Sequence, residues 1–262
     1  MLAHSKNMVV LMRGFVKRPL HSSVLQHDVD TGDSPPIKQS LRRPLLSAGN
    51  AENDIIDDML ATGVIEPSTF EWASPVCLVR KPDGSYRFCI DYRGVNAVSR
   101  KDAFPIPDIQ DALDILRGAR WFATLDLLSS YWQLGMTDWA KERSAYCTRL
   151  FQFRRMPFGL CGATATFCRV MSHVLGDYIG VVCLYYLDDV IIFGKTQKEL
   201  LDRLDLVLKR LHEFGLKVKP CHQNVFCSEP KSSSLDTWLA LREYSYSRIK
   251  FQLLQIGRHL TV

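Results

Sequence analysis

Apolar positions along this chain fall into helical faces and strand-like runs, and glycine or proline marks most of their ends. Ile55, Ile56, Met59 and Leu60 make a short helical face that stops at Gly63. Residues 76–80 and 86–92 are strand-like and flank Pro82-Asp83-Gly84-Ser85, which predicts a β-hairpin. Ile109, Leu113 and Leu116 predict a helix, with Pro107 near its start and Gly118 just past its end. Residues 121–128 read as an apolar strand holding one acid, Asp126. Phe167, Val170, Met171 and Val174 form another helical face, closed by Gly176. Residues 181–193 are two apolar runs around Leu187-Asp188-Asp189. Thr196 and Glu199 form a capping box, after which Leu200, Leu204, Val207, Leu208 and Leu211 share one face up to Gly215. Strands and helices mix without strict alternation, so the pattern predicts an α+β fold rather than a doubly wound one. Residues 1–50 show little periodicity and read as an extended N-terminal arm to a body at 51–227.

The 262 residues are 47% apolar, enough for a sizeable core. The net charge of +5 suggests nucleic acid, but its location weakens that reading. Residues 1–50 carry seven Lys/Arg against three Asp/Glu, residues 228–262 five against three, and the middle is balanced at −1. Contact with nucleic acid must therefore come from local basic clusters. Eight cysteines are scattered without a C-x-x-C pair, and buried free thiols are the expectation. Cys221, His222 and Cys227 lack a second ligand pair at zinc-like spacing. The longest apolar run is broken by Asp188 and Asp189 and is too short to cross a bilayer, so neither a membrane span nor a membrane partner is expected.

A carboxylate inside a buried strand costs several kcal/mol unless it is paired, exposed or bound to metal. Here that pattern occurs at Asp126 and again at Asp188-Asp189. A tight hairpin over 181–193 would hold Asp188 and Asp189 at its tip, where Asp126 on a neighbouring strand could face them. Three converging carboxylates invite divalent cations, and Mg²⁺ takes oxygen ligands from one or two carboxylates plus substrate phosphates. Two such ions suit in-line phosphoryl transfer. Taken alone, the acids fit an ordinary exposed turn and a strand-end acid better than a metal site.

Six segments in order change that balance. HDVDTG (27–32) opens the series, followed by GVIEPSTFEWASPVCLVRKPDGSYRFCIDYRGVN (63–96). FPIPDI (104–109) then leads to WFATLDLLSSYWQL (121–134). RMPFGLCGATATF (155–167), YLDD (186–189) and FGLKVKP (214–220) complete it. Together they resemble the reverse transcriptases of gypsy-type long-terminal-repeat retrotransposons, over some 200 residues. The resemblance implies the palm and fingers of a right-hand polymerase, with the thumb missing or incomplete. It implies an RNA-directed DNA polymerase that joins dNTPs to a primer 3′-OH on an RNA or DNA template, with two Mg²⁺ ions. The setting it implies is a cytoplasmic retrotransposon particle, with the nucleus as the other possibility. It is silent on oligomeric state.

By the same resemblance, Asp126, Asp188 and Asp189 are the catalytic metal ligands, joined by the backbone carbonyl of Leu127. Lys81 and Arg87 would grip the incoming triphosphate, a need that a lysine and a bidentate arginine meet physically. Phe158 and Gly159 would lie near the nucleotide's sugar and base, and Tyr186 near the primer end. Lys219 or Lys217 would support the leaving pyrophosphate. Tyr131, five residues after Asp126, resembles the steric gate against a ribose 2′-OH; Tyr131-Trp132 also reads as ordinary core. RNA-templated RNA polymerases usually place an Asp at that position and a Gly at the position of Leu187, so both residues favour deoxynucleotides. Asp30-Thr31-Gly32 is also the active-site triplet of retroviral aspartic proteases, but neither flank of the triplet fits that use.

The chain departs from the family at several points. Thr148-Arg149 runs straight into Leu150-Phe151 where Pro-x-Gly is usual, and Gly162, Thr164, Cys168 and Ser130 replace common residues. After Lys231 the sequence LDTWLALREY (235–244) stands where the family reads roughly LGHLVSAEGI. Codons exist that encode the two in frames offset by one base, so residues 228–262 read as an aberrant, frameshifted tail. The competing reading of the whole is a catalytically inactive retrotransposon relic or a nucleic-acid-binding fragment.

Overall fold

The apolar runs on either side of Leu187-Asp188 fold back on each other and on the strand that carries Asp126. In this computed structural model the described residues are 22–40, 49–81, 84, 86–105, 109–116, 118–147, 150–186 and 189–218. In chain order the elements are β1 (Ser22–His27), α1 (Gly49–Ala61), β2 (Ile65–Pro67), β3 (Ser74–Arg80), β4 (Tyr86–Ile90), α2 (Arg93–Val98) and α3 (Ile109–Ile115). They continue as β5 (Trp121–Asp126), β6 (Leu134–Met136), α4 (Asp138–Arg143), β7 (Tyr146–Cys147), β8 (Phe151–Phe153), α5 (Ala163–Leu175), β9 (Cys183–Tyr186), β10 (Asp189–Gly194) and α6 (Gln197–Glu213). The mixture is the α+β arrangement expected from the pattern. Asp188, Lys219, the Cys221–His222–Cys227 trio and the tail at 228–262 lie outside the described residues.

Three strands in the order β5-β10-β9 form the central antiparallel sheet. Side chains alternate across it, and the alternation sorts the two faces. Ala123, Leu125, Val190, Ile192, Cys183 and Tyr185 are buried in the main core with α5 and α6. Tyr185 reaches α5, its hydroxyl 2.7 Å from Ser172 Oγ. On the opposite face, Phe122, Phe193 and Leu184 meet Leu116, beside Ala112 of α3, in a smaller cluster. That cluster covers only one end of the face. Asp126 and Asp189 occupy the other end.

α6 matches its sequence reading closely: Leu200, Leu204, Val207, Leu208 and Leu211 are all buried. The Thr196 side chain accepts from the Glu199 N–H at 3.2 Å. Glu199 reaches past Thr196 to the N–H of Lys195 at 2.7 Å, so the reciprocal half of the cap sits one residue early. Gly215 then ends the helix at φ +70°, a backbone setting that glycine adopts without strain.

A five-stranded sheet, β2-β8-β7-β3-β4, carries the predicted hairpin 76–90 at one edge. Its other three strands, β2, β8 and β7, were not specified by the pattern. The N-terminal arm needs a larger correction. β1 runs parallel to β6, with His27 opposite Met136, and Val29 and Thr31 are buried. The described residues 22–40 of the arm thus pack as part of the body. Asp30-Thr31-Gly32 is a structural turn: Asp30 Oδ1 accepts the Gly32 N–H, and buried Thr31 accepts from Arg143 Nε. The guanidinium of Arg143 stacks on Trp139, 3.2 Å from the ring centroid. The cysteines also need correcting: Cys168 and Cys183 are buried free thiols, but Cys77, Cys89, Cys147 and Cys161 are half-buried. Among the described residues no helix is long and apolar enough to cross a membrane.

His27 gives this docking a pH dependence. Its Nδ1 lies 2.9 Å from Thr166 Oγ1 on α5, and Nε2 is buried without a hydrogen-bond partner. Burial is the main reason its pKa is lowered from 6.5 to about 4, against opposing pulls from Asp28 and Asp102. The unfolded chain therefore binds a proton that the folded chain refuses between those values. The stabilisation is full above pH 6.5 and is lost as pH falls toward 4. The expected loss between pH 7 and 5 is about 2 kcal/mol. Urea midpoints at the two pH values should show it in the wild type and show a smaller drop in His27→Gln; equal drops would refute the assignment.

Candidate active site

Asp126 is the last residue of β5 and Asp189 the first of β10, and the two are direct cross-strand partners. Directly opposed residues point to the same side of a sheet, with Cα atoms about 5 Å apart. Tyr186 is the partner of Asp189 on the other flank. One row across the sheet is therefore Asp126, Asp189, Tyr186. Leu187 and Asp188, which stand between Tyr186 and Asp189 in the sequence, lie outside the described residues. The sequence set acids within apolar strand-like runs, with the paired ones at a hairpin tip facing Asp126. The structure puts Asp126 and Asp189 at strand ends and half-buried, where the desolvation cost is smaller.

These acids fit a hard cation. The donors that meet here are carboxylate oxygens, which suit Mg²⁺. Among the described residues no group of three His, Cys, Asp or Glu converges, since only two of the three expected acids are in that set. Leu127, next to Asp126, is buried and forms an antiparallel bridge with Val218. Lys217, beside Val218, is buried, and that burial lowers its pKa.

Five residues on from Asp126, an aromatic cluster begins at Tyr131. Tyr131 belongs to a 3-10 turn, Ser130–Gln133, and is 9% exposed. Its ring lies 4.8 Å from that of Phe158 and 5.4 Å from that of Phe167, and its hydroxyl is 3.2 Å from Thr164 Oγ1. Tyr131 is therefore packed as core, as the ordinary reading of Tyr131-Trp132 expects. Phe158 is 51% exposed, an unusual state for so large an apolar ring.

Gly159 follows at φ +92°, and a Cβ there would stand 3.7 Å from the Tyr92 ring and 3.9 Å from the Ile90 carbonyl. The Phe158-Gly159 turn thus rests against the base of the β3–β4 hairpin. Asn96 of α2 fixes it: its Nδ2 donates to the Gly159 carbonyl and its Oδ1 accepts the Cys161 N–H, both at 2.8 Å. Sequence reasoning missed Asn96, although it closes the 63–96 motif. Lys81 and Arg87 are exposed on the hairpin itself, with Arg87 opposite Val79 in the ladder. They belong to the five-stranded sheet and not to the sheet that carries the acids.

A three-stranded antiparallel sheet with helices on one face and acids at the open end of the other, beside a hairpin-bearing sheet, is consistent with a palm-and-fingers arrangement. Comparison with known proteins narrows the class. The family described as reverse transcriptase (RNA-dependent DNA polymerase) matches residues 79–236, and this chain belongs to it. The chain is 35% identical over 204 residues to the retrovirus-related Pol polyprotein from transposon opus of Drosophila melanogaster, covering 75% of this chain and 20% of that protein. It is 31% identical over 198 residues to the Pol polyprotein from transposon gypsy of the same species, covering 72% and 19%. The chain thus spans about a fifth of the length of these relatives. Among solved structures, the foamy viral protease-reverse transcriptase in complex with RNA/DNA hybrid superposes with a TM-score of 0.73 at 24% identity, covering 83% of this chain and 30% of that one. Members of the family use divalent metal ions.

Proposed function

We propose that this chain forms the catalytic palm and fingers of an RNA-directed DNA polymerase that adds deoxynucleotides to a primer 3′-OH. The observation that carries the proposal is the register that sets Asp189 against Asp126 on one face. Asp126, Asp189 and Asp188 would hold two Mg²⁺ ions, which supply charge stabilisation for the attacking and leaving oxygens when bound. Tyr186, in the same row, would line the primer end. Tyr131 and Phe158 would bound the space for the sugar and base, and Gly159 lets backbone come close to them. Lys81 and Arg87, on an exposed hairpin, would grip the triphosphate. Lys219 or Lys217 would act on the pyrophosphate. The template would be RNA or DNA; the foamy viral relative is described in complex with RNA/DNA hybrid.

Primer extension tests the proposal. The purified chain, given a primed RNA or DNA template, Mg²⁺ and dNTPs, should extend the primer. The Asp188→Asn/Asp189→Asn variant should not. Indistinguishable wild-type and variant traces would remove the enzymatic reading and leave a non-catalytic fragment.

A further inference from the structure

The turn after Asp126 is held by one buried amide. Gln133 ends the 3-10 turn and is 7% exposed. Its Nε2 donates to the backbone carbonyls of Leu128 at 2.7 Å and Lys217 at 2.9 Å. Its Oε1 accepts the backbone N–H of Lys217 at 2.6 Å. The Leu128 N–H also donates to the Lys217 carbonyl at 3.0 Å, and Leu127 faces Val218 across the same junction.

The geometry has a specific chemical requirement. A primary amide offers two donors and a carbonyl side by side. It can therefore engage both the N–H and the C=O of one residue, as a neighbouring strand would. Gln133 does this to Lys217 and keeps its second donor for Leu128. Lys and Arg would offer donors only, and ionised Glu acceptors only. Asn has the same group on a stem one methylene shorter.

We infer that Gln133 is a positioning residue for the metal site. It sets the backbone that follows Asp126 against residues 217–218, which lead to Lys219. It sits two residues after Tyr131 in the same turn, so one side chain ties the backbone after Asp126 to the segment beyond α6. This inference rests on the reading of Asp126 as a metal ligand. A residue that orients ligands without touching the metal typically changes metal affinity by roughly 10–100-fold when it is removed.

The test uses Mn²⁺ as the probe, with free Mn²⁺ measured by electron paramagnetic resonance, on wild type, Asp126→Asn and Gln133→Met. Gln133→Met keeps the volume and removes every hydrogen bond. The expected result is a Kd for Mn²⁺ raised roughly 10–100-fold, together with faster amide exchange at Leu128 and Lys217 and unchanged protection in β5, β10 and α6. A purely structural role would leave the Mn²⁺ affinity alone. If Asp126→Asn weakens Mn²⁺ binding and Gln133→Met does not, the Gln133 role is wrong while the metal reading stands. If Asp126→Asn binds as wild type does, the metal reading falls and takes this role with it. Should Gln133→Met fail to fold, Gln133→Glu replaces it. That variant keeps the acceptor for Lys217, loses both donors while ionised, and should also weaken Mn²⁺; unchanged affinity there would overturn the inference.

Discussion

Asp126→Asn should lower kcat/KM for primer extension by about three orders of magnitude or more. A divalent ion stabilises several kcal/mol of transition-state charge, and each 1.36 kcal/mol is about tenfold in rate. Asparagine keeps the size of aspartate and removes half of the Asp126–Asp189 charge pair. The substitution lies at the end of β5, half-buried, so the sheet beneath it should be untouched. A second readout separates lost chemistry from lost structure. Ligand binding raises the stability of the folded state by RT ln(1 + [L]/Kd), about 1.4 kcal/mol at ten times Kd. Adding Mg²⁺ should therefore raise the Tm of the wild type and leave that of Asp126→Asn where it was. Equal Mg²⁺ shifts in the two proteins would mean that the ion binds elsewhere.

Tyr131→Ala should have the next largest effect, on two quantities at once. The ring is buried between Phe158 and Phe167, so its loss should cost about 3–5 kcal/mol of stability. The space it leaves adjoins the exposed Phe158, where the sugar is expected. Removing a steric obstacle of that size should raise kcat/KM for ribonucleotides over deoxynucleotides by roughly 10–200-fold. Tyr131→Phe is the matched control. It keeps the ring and removes only the hydroxyl contact with Thr164, so about 1 kcal/mol should go while sugar selectivity stays. Single-nucleotide incorporation with dNTP and NTP in parallel reads the ratio. A Tyr131→Ala protein that is folded yet unchanged in that ratio would remove Tyr131 from the selection of sugar.

Much of this architecture was visible in the amino-acid pattern where the pattern is long. The five buried positions of α6 and its Thr196 cap were read correctly because seventeen residues give several turns of helical repeat. The hairpin that joins β9 to β10 was readable because apolar arms end abruptly at charge. β2, β7 and β8, of two or three residues, are too short for any alternation to register. α4 did carry a local signal, since Thr137 accepts the Ala140 N–H at its start. Its six residues bury only Ala140 and Arg143, so no apolar face announced it. Gln133 and Asn96 escaped for a different reason. Each satisfies backbone groups 60 to 90 residues away in sequence, and nothing local distinguishes such an amide from one facing water. β1 escaped likewise, because its partner β6 lies more than a hundred residues further on.

The ladder between β5 and β10 leaves the chemistry no independence from the hydrocarbon beneath it. Val190 against Leu125 and Ile192 against Ala123 fix which way every side chain of the two strands turns. Sliding either strand by one residue would turn its aspartate toward the oily interior and expose a valine or leucine in its place. The orientation of both carboxylates is thus inherited from a row of fully buried aliphatic side chains that never touch them.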